Sequence, residues 1–241
     1  AQKLEPAVLE LGGKNALVVL KDADIDYAVK TTIFGAYMNS GQICMSTDRV
    51  IVHSAIAEPF LEKLTKAVND IVYGDPSDAN TLVGPVVNVR AAQRLSALIK
   101  DAVRKGATLL AGTGEIEGPG GTLLKPVLLT DVTKDMDIYY GEIFAPGVVV
   151  HVVESTEAAI ALANDTDYGL TGGVISENLK EAMDVAERMQ TGIVHVNDQG
   201  IADEPMAPFG GVKQSGLGRE GSHHGMDEYV EIKYLCVGDV L

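Results

Sequence analysis

"AVLELGGKNALVVL", residues Ala7–Leu20, sets an apolar run on either side of the Gly12–Gly13 pair. Two glycines between such runs read as a turn joining strands over "AVLEL" (Ala7–Leu11) and "NALVVL" (Asn15–Leu20). Asp22 or Asp24 can then cap a helix that carries Ile25, Ala28, Val29, Thr32 and Ile33 on one face. The alternation continues. "RVIVH" (Arg49–His53) precedes a helix with Phe60, Leu61, Leu64, Ala67, Val68 and Ile71 at core spacing. Another helix carries Leu95, Leu98, Ile99, Ala102 and Val103 and stops at Gly106. "ATLLAG", "TLLKPVLL" and "GVVVHVV" are further strand candidates. A helix with Leu179, Ala182, Met183, Ala186 and Met189 leads to Gly192, and "GIVHV" follows as a buried strand. Strands that alternate with helices predict an α/β fold, a three-layer sandwich around a mostly parallel sheet. The final segment, "YVEIKYLCV" (Tyr229–Val237), alternates apolar and charged residues and is expected to be a strand offering an edge to another subunit.

Bulk properties narrow the function. With 241 residues and 46% hydrophobic content the chain can bury a sizeable core. A net charge of −15 and a pI near 4.6 disfavour nucleic-acid or anionic-membrane partners, whose field would repel the protein. No run of about 18 apolar residues is present to span a bilayer. Two cysteines, Cys44 and Cys236, are too few for a disulfide framework, so a reducing, cytoplasmic setting is expected. The opening "AQKLEPAVLEL" reads as the end of a helix or linker running into a strand, as in a piece of a longer protein.

Cys44 lies in "NSGQICMSTDRV" (Asn39–Val50), behind small polar residues that suit an exposed bend. A thiolate is the strongest protein nucleophile near neutral pH, and it needs exposure and help in lowering its pKa. Backbone N–H groups at a loop-to-helix junction would favour the thiolate and hold a developing oxyanion. A small buried hydrophobe is the alternative reading of Cys44, and packing is the reading of Cys236. Glu10 ends an otherwise apolar strand, so it either reaches solvent at an edge or stands in a site, where desolvation would raise its pKa toward that of a general base. In "GEIFAP", Glu142 could grip a ribose and Phe144 wall a planar ligand; a helix end with a core Phe explains the segment equally. The glycine-rich "PFGGVKQSGLGREG" (Pro208–Gly221) lacks the P-loop terminus. "GTGEIEG" (Gly112–Gly118) has the wrong spacing for a dinucleotide fingerprint and reads as a hairpin tip. His223 and His224 have no companion ligands in sequence, and no metal is expected.

Together, "LELGGK", "GQIC", "GEIFAP", "NDTDYGLTGGV", "TGIVHVN" and "PFGGVKQSGLGREG" follow the order seen in the aldehyde dehydrogenase superfamily, and the chain resembles that family's catalytic half, its nucleotide-binding domain missing. The resemblance implies a catalytic domain over residues 1–228 and the last strand of an oligomerisation arm over 229–241. It implies that Cys44 attacks an aldehyde to give a thiohemiacetal, that hydride passes to NAD or NADP, and that Glu10 activates water to release the acid from a thioester. By the same resemblance Glu220 belongs to a proton path, and Leu11, Glu142 and Phe144 meet the nicotinamide and its ribose. Phe209, Ile43 and Met45 line the substrate tunnel. Two departures stand out: Ala145 replaces the family's usual glycine, and most of the cofactor site lies in the nucleotide-binding part that precedes this segment. The 241-residue chain is therefore expected to bind NAD too weakly to turn over. Local likeness points both to the benzaldehyde and vanillin branch and to the succinate-semialdehyde branch. Where the latter carries an arginine for the substrate carboxylate, this chain has Met38. With Tyr37, Ile43, Met45 and Phe209, that methionine favours an apolar or aromatic aldehyde. A homo-oligomer, dimer or tetramer, is expected through the C-terminal strand. Two other classes stay open: a cofactor-independent thiol esterase and a non-catalytic assembly domain.

Overall fold

The computed structural model describes residues 7–238. The first strand, β1 (Leu9–Glu10), is shorter than expected. After the diglycine turn, β2 (Asn15–Val19) is buried at every position. Helix α1 (Ile25–Tyr37) starts at Asp24, whose Oδ1 accepts from the Tyr27 N–H at 2.8 Å and so meets one of the helix's unpaired donors. Asp22, the other candidate cap, instead accepts from Ser176 Oγ and the Asn178 N–H, both at 2.8 Å. The chain continues through β3 (Thr47–His53), α2 (Ser54–Asn69) and α3 (Val89–Arg104), the last capped by Asn88. Strand β4 (Thr108–Ala111) leads to a hairpin of β5 (Ile116–Glu117) and β6 (Leu123–Leu124), and "GTGEIEG", read as the tip, instead supplies the first strand, with the tip at Gly118–Thr122. Then come β7 (Val127–Thr130), α4 (Asp137–Tyr140), β8 (Gly147–Val153) and α5 (Thr156–Asn164). The remainder is β9 (Tyr168–Gly169), β10 (Thr171–Ile175), α6 (Leu179–Arg188), β11 (Ile193–Val196), β12 (Val212–Lys213), β13 (Gly216–Leu217) and α7 (Ser222–Asp227).

Seven strands make the main sheet in the order β11-β10-β2-β3-β8-β7-β4. All neighbours are parallel except β4 with β7. Because side chains alternate across a strand, β2 sends Leu17 and Val19 to one face and Ala16 and Val18 to the other. The first set packs with Val50, Val52, Val148 and Val150 against Ala28 and Val29 of α1 and Phe60 and Leu64 of α2. On the opposite face lie Leu95, Ile99 and Ala102 of α3, Ile160 of α5 and Val185 of α6. Helices on both faces of a mostly parallel sheet give the three-layer α/β sandwich that the sequence pattern predicts. Among the described residues no helix is long and apolar enough to cross a membrane.

Several expectations need correction. Residues Leu9–Glu10 pair antiparallel with β13 and lie outside the main sheet, because among the described residues their only strand partner is the short Gly216–Leu217 segment. In α6 the buried stripe runs through Ala182, Val185 and Met189, so Leu179 and Met183, off that stripe, are exposed. "GIVHV" forms β11 at the sheet edge, and its residues are half-buried. Residues 229–238 form no strand within this chain: Ile232 is 99% exposed and Cys236 is also exposed. A strand exists only with a hydrogen-bonding neighbour, and among the described residues no strand pairs with that segment. Residues 1–6 and 239–241, which hold part of the opening and terminal readings, lie outside the described residues.

One half-buried residue of the sheet yields a stability test. His151 in β8 meets the Tyr139 ring edge-on at 5.5 Å, with its Nε2 enclosed and unpartnered among the described residues. Burial, then the charges of Arg49 and Lys14, push its pKa from 6.5 down to about 4. The neutral ring's contribution is complete above pH 6.5 and is lost as pH falls toward 4, because there the unfolded chain binds a proton that the folded chain does not. The full difference amounts to about 3 kcal/mol. His151→Phe should therefore lose less stability than the parent between pH 7 and pH 4.5 in urea unfolding; equal losses would contradict this origin.

Candidate active site

Three consecutive residues in the left-handed region, Asn39, Ser40 and Gly41 (φ 51°, 59° and 67°), turn the chain out of α1 toward Cys44. Gly41 is required there, since a Cβ would stand 2.2 Å from the Ala145 carbonyl oxygen. The bend is tied down from a distant segment. Ser40 Oγ donates to the Gly84 carbonyl at 3.0 Å and lies 3.1 Å from the Gly84 N–H, while Gln42 Oε1 accepts from the Val87 N–H at 2.8 Å.

Beyond the bend, Cys44 and Met45 form a turn that runs into β3. Asn15 at the start of β2 holds that turn. Its Nδ2 donates to the Cys44 carbonyl at 2.7 Å and to the Ser46 carbonyl at 2.8 Å, and its Oδ1 accepts from the Thr171 N–H at 3.2 Å. One buried amide thereby fixes the cysteine against two strands of the sheet. Gly13 allows the approach, because a Cβ there would lie 2.6 Å from the Cys44 carbonyl oxygen.

Cys44 is half-buried, and the expected loop-to-helix junction is absent: a strand follows, so no helix N-terminus assists the thiol. Burial first, and then the negative charge of Glu10, push its pKa up; the N–H groups of Cys44 and Met45 pull it back, and Glu142 adds a smaller upward push. The sequence expectation of a depressed pKa is therefore reversed: among the described residues, the charges that act on the sulfur are those of carboxylates.

Glu10 sits in β1 with both carboxylate oxygens enclosed and without a hydrogen-bond partner among the described residues. Burial and the nearby Glu220 raise its pKa, and Arg219 opposes them. The β1–β13 pairing carries this carboxylate to the glycine-rich loop, where a Cβ on Gly210 would meet Glu10 Oε1 at 3.2 Å. In the same loop Phe209 and Glu220 pair through both backbone bonds, at 2.8 and 2.7 Å, which brings Phe209, Glu220, Arg219 and Glu10 into one neighbourhood.

On another side, Glu142 Oε1 accepts from the Gly13 N–H at 2.9 Å, and burial raises its pKa. Glu142, Leu11, Gly12, Tyr140, Tyr168 and Gln214 contribute to the lining of an open cavity of about 480 Å³. Phe144 follows in the left-handed region (φ 45°) and is exposed. Of the expected tunnel residues, Met38 and Ile43 are half-buried at the bend and Phe209 is half-buried in its loop. Met45 is buried. Tyr37 is withdrawn from any pocket: fully buried, its hydroxyl donates to the Val127 carbonyl at 2.8 Å.

Sequence reasoning passed over Asn15, Lys14, Asp48, Arg49 and Arg94. Lys14 and Asp48 form a buried ion pair at 3.4 Å. Arg49 donates to the carbonyls of Lys14, Leu162 and Ala163. Arg94 donates to the carbonyls of Glu142 and Ile143. A signal was there to see, since Lys14-Asn15 and Asp48-Arg49 put polar groups at the mouths of two otherwise apolar strands.

The Aldehyde dehydrogenase family model matches residues 1–235. The chain belongs to this family. It is 42% identical over 237 residues to a vanillin dehydrogenase of a Pseudomonas species (strain HR199), covering 98% of this chain and 48% of that protein. It is 41% identical over 240 residues to the mitochondrial succinate-semialdehyde dehydrogenase of Arabidopsis thaliana, covering 100% of this chain and 45% of the relative. The crystal structure of a salicylaldehyde dehydrogenase from Pseudomonas putida G7, complexed with salicylaldehyde, superposes with a TM-score of 0.90 at 38% identity, over 94% of this chain and 46% of that one. The chain thus spans about half the length of the relatives it matches.

If Glu10 acts on the sulfur through its charge, Glu10→Gln removes an upward push on Cys44. The pH midpoint for iodoacetamide alkylation of Cys44, followed by mass spectrometry of its peptide, should then move to lower pH. A midpoint that stays put or rises would separate the two groups.

Proposed function

We propose that this chain is the catalytic portion of a dehydrogenase that oxidises an aldehyde to its carboxylic acid, with Cys44 as nucleophile and Glu10 as general base. The observation that carries the reading is the Glu10 carboxylate, enclosed and without a hydrogen-bond partner among the described residues, together with a half-buried Cys44 whose backbone is clamped by Asn15. Both acids have raised pKa values, so the carboxylate is the better base: Glu10 takes the thiol proton as the sulfur attacks and sheds it through Glu220 before acting again. Cys44 adds to the carbonyl carbon, the Cys44 N–H would donate to the developing oxyanion, and loss of hydride from that carbon leaves a thioester on the sulfur. Bound nicotinamide supplies the hydride acceptor. Glu10 then takes a proton from the water that attacks the thioester, and Cys44 leaves as the thiolate. Glu220, exposed and close to Glu10, passes that proton onward to solvent.

The residues available for NAD or NADP fit this role in part. Leu11 and Glu142 line the open cavity and Phe144 stands exposed nearby, ready for a ribose and a planar ring. The dinucleotide's remaining contacts belong to a nucleotide-binding part, and the relatives' additional length is consistent with one. We assign residues 1–228 to the catalytic domain and 229–241 to an arm that pairs with a second copy. The exposed apolar alternation of Val230, Ile232 and Tyr234 supports that arm in a homo-oligomer.

Met38 and Ile43 beside the bend, with Phe209 in the adjoining loop, favour an apolar or aromatic aldehyde over a carboxylate-bearing one. The succinate-semialdehyde relatives, at similar identity, support the second reading. For the protein extended to include its nucleotide-binding part, kcat/KM should be higher on benzaldehyde than on succinate semialdehyde; the opposite preference overturns the substrate reading. Calorimetry on the 241-residue chain should give NAD binding weaker than micromolar, and a micromolar Kd would contradict the division of the cofactor site.

A further inference from the structure

The segment Gly141–Ile143 is irregular backbone, yet most of its polar groups are met by side chains from elsewhere. Lys14 Nζ donates to the Gly141 carbonyl at 2.7 Å. Asp48 Oδ2 accepts from the Ile143 N–H at 2.8 Å. Arg94 of α3 donates to the Ile143 carbonyl at 2.7 Å and to the Glu142 carbonyl. The residues on either side of Glu142 are therefore gripped by the two members of one ion pair. That pair is sealed: the side chains of Lys14 and Asp48 are 0% and 5% exposed.

The location of the pair on the chain gives it reach. Lys14 is flanked by Gly13, whose N–H binds the Glu142 carboxylate, and by Asn15, which binds the Cys44 and Ser46 carbonyls. Asp48 stands in β3, four residues after Cys44. Two short stretches, Gly13–Asn15 and Cys44–Asp48, thus hold both the nucleophile's turn and the Glu142 segment. A buried ion pair is a poor source of stability, because desolvation offsets much of its attraction, so its presence here calls for another account. Residue type fits a positioning role. A lysine reaches a carbonyl with a directed donor, and a carboxylate takes the opposing N–H with the stronger, charge-assisted bond.

We propose that Lys14 and Asp48 are positioning residues that hold Glu142 at a fixed place relative to Cys44. The inference rests on the reading of Glu142 as the carboxylate that faces the cofactor. Arg94 and Gly13 complete the grip, but neither binds the Ile143 N–H or the Gly141 carbonyl.

The test separates positioning from folding through the double variant Lys14→Met/Asp48→Leu, made on this chain with the single variants beside it. Each single variant strands one buried charge and should lower Tm, whereas removing both charges should restore most of the loss. Amide hydrogen exchange resolved to single residues then reads the loop. In the folded double variant, exchange at Gly13 and Ile143 should be faster by about tenfold or more, the fold-change of losing one protecting hydrogen bond, with Val50–Val52 unchanged. Cys44 alkylation should stay within about twofold of the parent, because the Asn15 clamp is intact. Unchanged exchange at Gly13 and Ile143 in a folded double variant would overturn the proposal. Should that variant fail to fold, the near-isosteric Asp48→Asn decides the question through exchange at Gly13, faster or unchanged, since Lys14 has then lost its ionic partner. An inert Cys44 in the parent would count against the aldehyde-oxidising reading and leave the exchange result to decide this one.

Discussion

A single amide, the side chain of Asn15, spans the gap on which the site depends. Through Nδ2 it holds the carbonyls of Cys44 and Ser46, and through Oδ1 it takes the Thr171 N–H, so the cysteine turn is locked to β2 and β10 together. A side chain on a loop would otherwise sample many positions, and loss of about 1 Å of precision would be costly to the catalysis proposed for Cys44. The glycines around Asn15 serve the same end. Gly13 lets the backbones meet, and Gly41 lets the bend fold beneath Ala145. The chain between them runs through left-handed residues that a relaxed loop would avoid, held by Ser40 and Gln42 to the Gly84–Val87 segment.

Around this clamp the protein concentrates its buried charge. Lys14, Asp48 and Arg49 all lie at strand mouths within an apolar sandwich, and each is paired or fully bonded to backbone. Burial still marks them: Lys14 is pushed down to about 8, and Asp48 is pushed up. Glu10 differs from these residues. Its carboxylate is enclosed with no partner among the described residues, a costly arrangement that a packing role does not explain. A carboxylate without a partner among the described residues, whose charge reaches the Cys44 thiol, suits the proton transfer proposed for this pair.

The sandwich was legible because fully buried parallel strands leave continuous apolar runs, as in "NALVV" and "VIV", and because Gly106 and Asp24 mark helix ends by simple chemistry. Cys44 and Glu10 stood out for the same reason reversed, as polar or reactive groups beside glycines. What local pattern could not carry was pairing. The Leu9–Glu10 strand depends on Gly216, distant in sequence, and the alternating tail at Tyr229–Val237 has no strand neighbour among the described residues. Nor could sequence give the direction of the Cys44 pKa, which follows from carboxylates that folding brings to it. Tyr37 read as a pocket aromatic only because its hydroxyl's partner, Val127, lies far along the chain.

The central claim is that Cys44 and Glu10 act in turn on one acyl group. The most direct measurement is the intact mass of the chain, with peptide mapping, during reaction with 4-nitrophenyl acetate in the parent and in Glu10→Gln. The account predicts an acyl group on Cys44 that is shed by the parent and accumulates in the variant, because water loses its base while the nucleophile remains. Equal deacylation in both proteins, or acylation confined to Cys236, would contradict it.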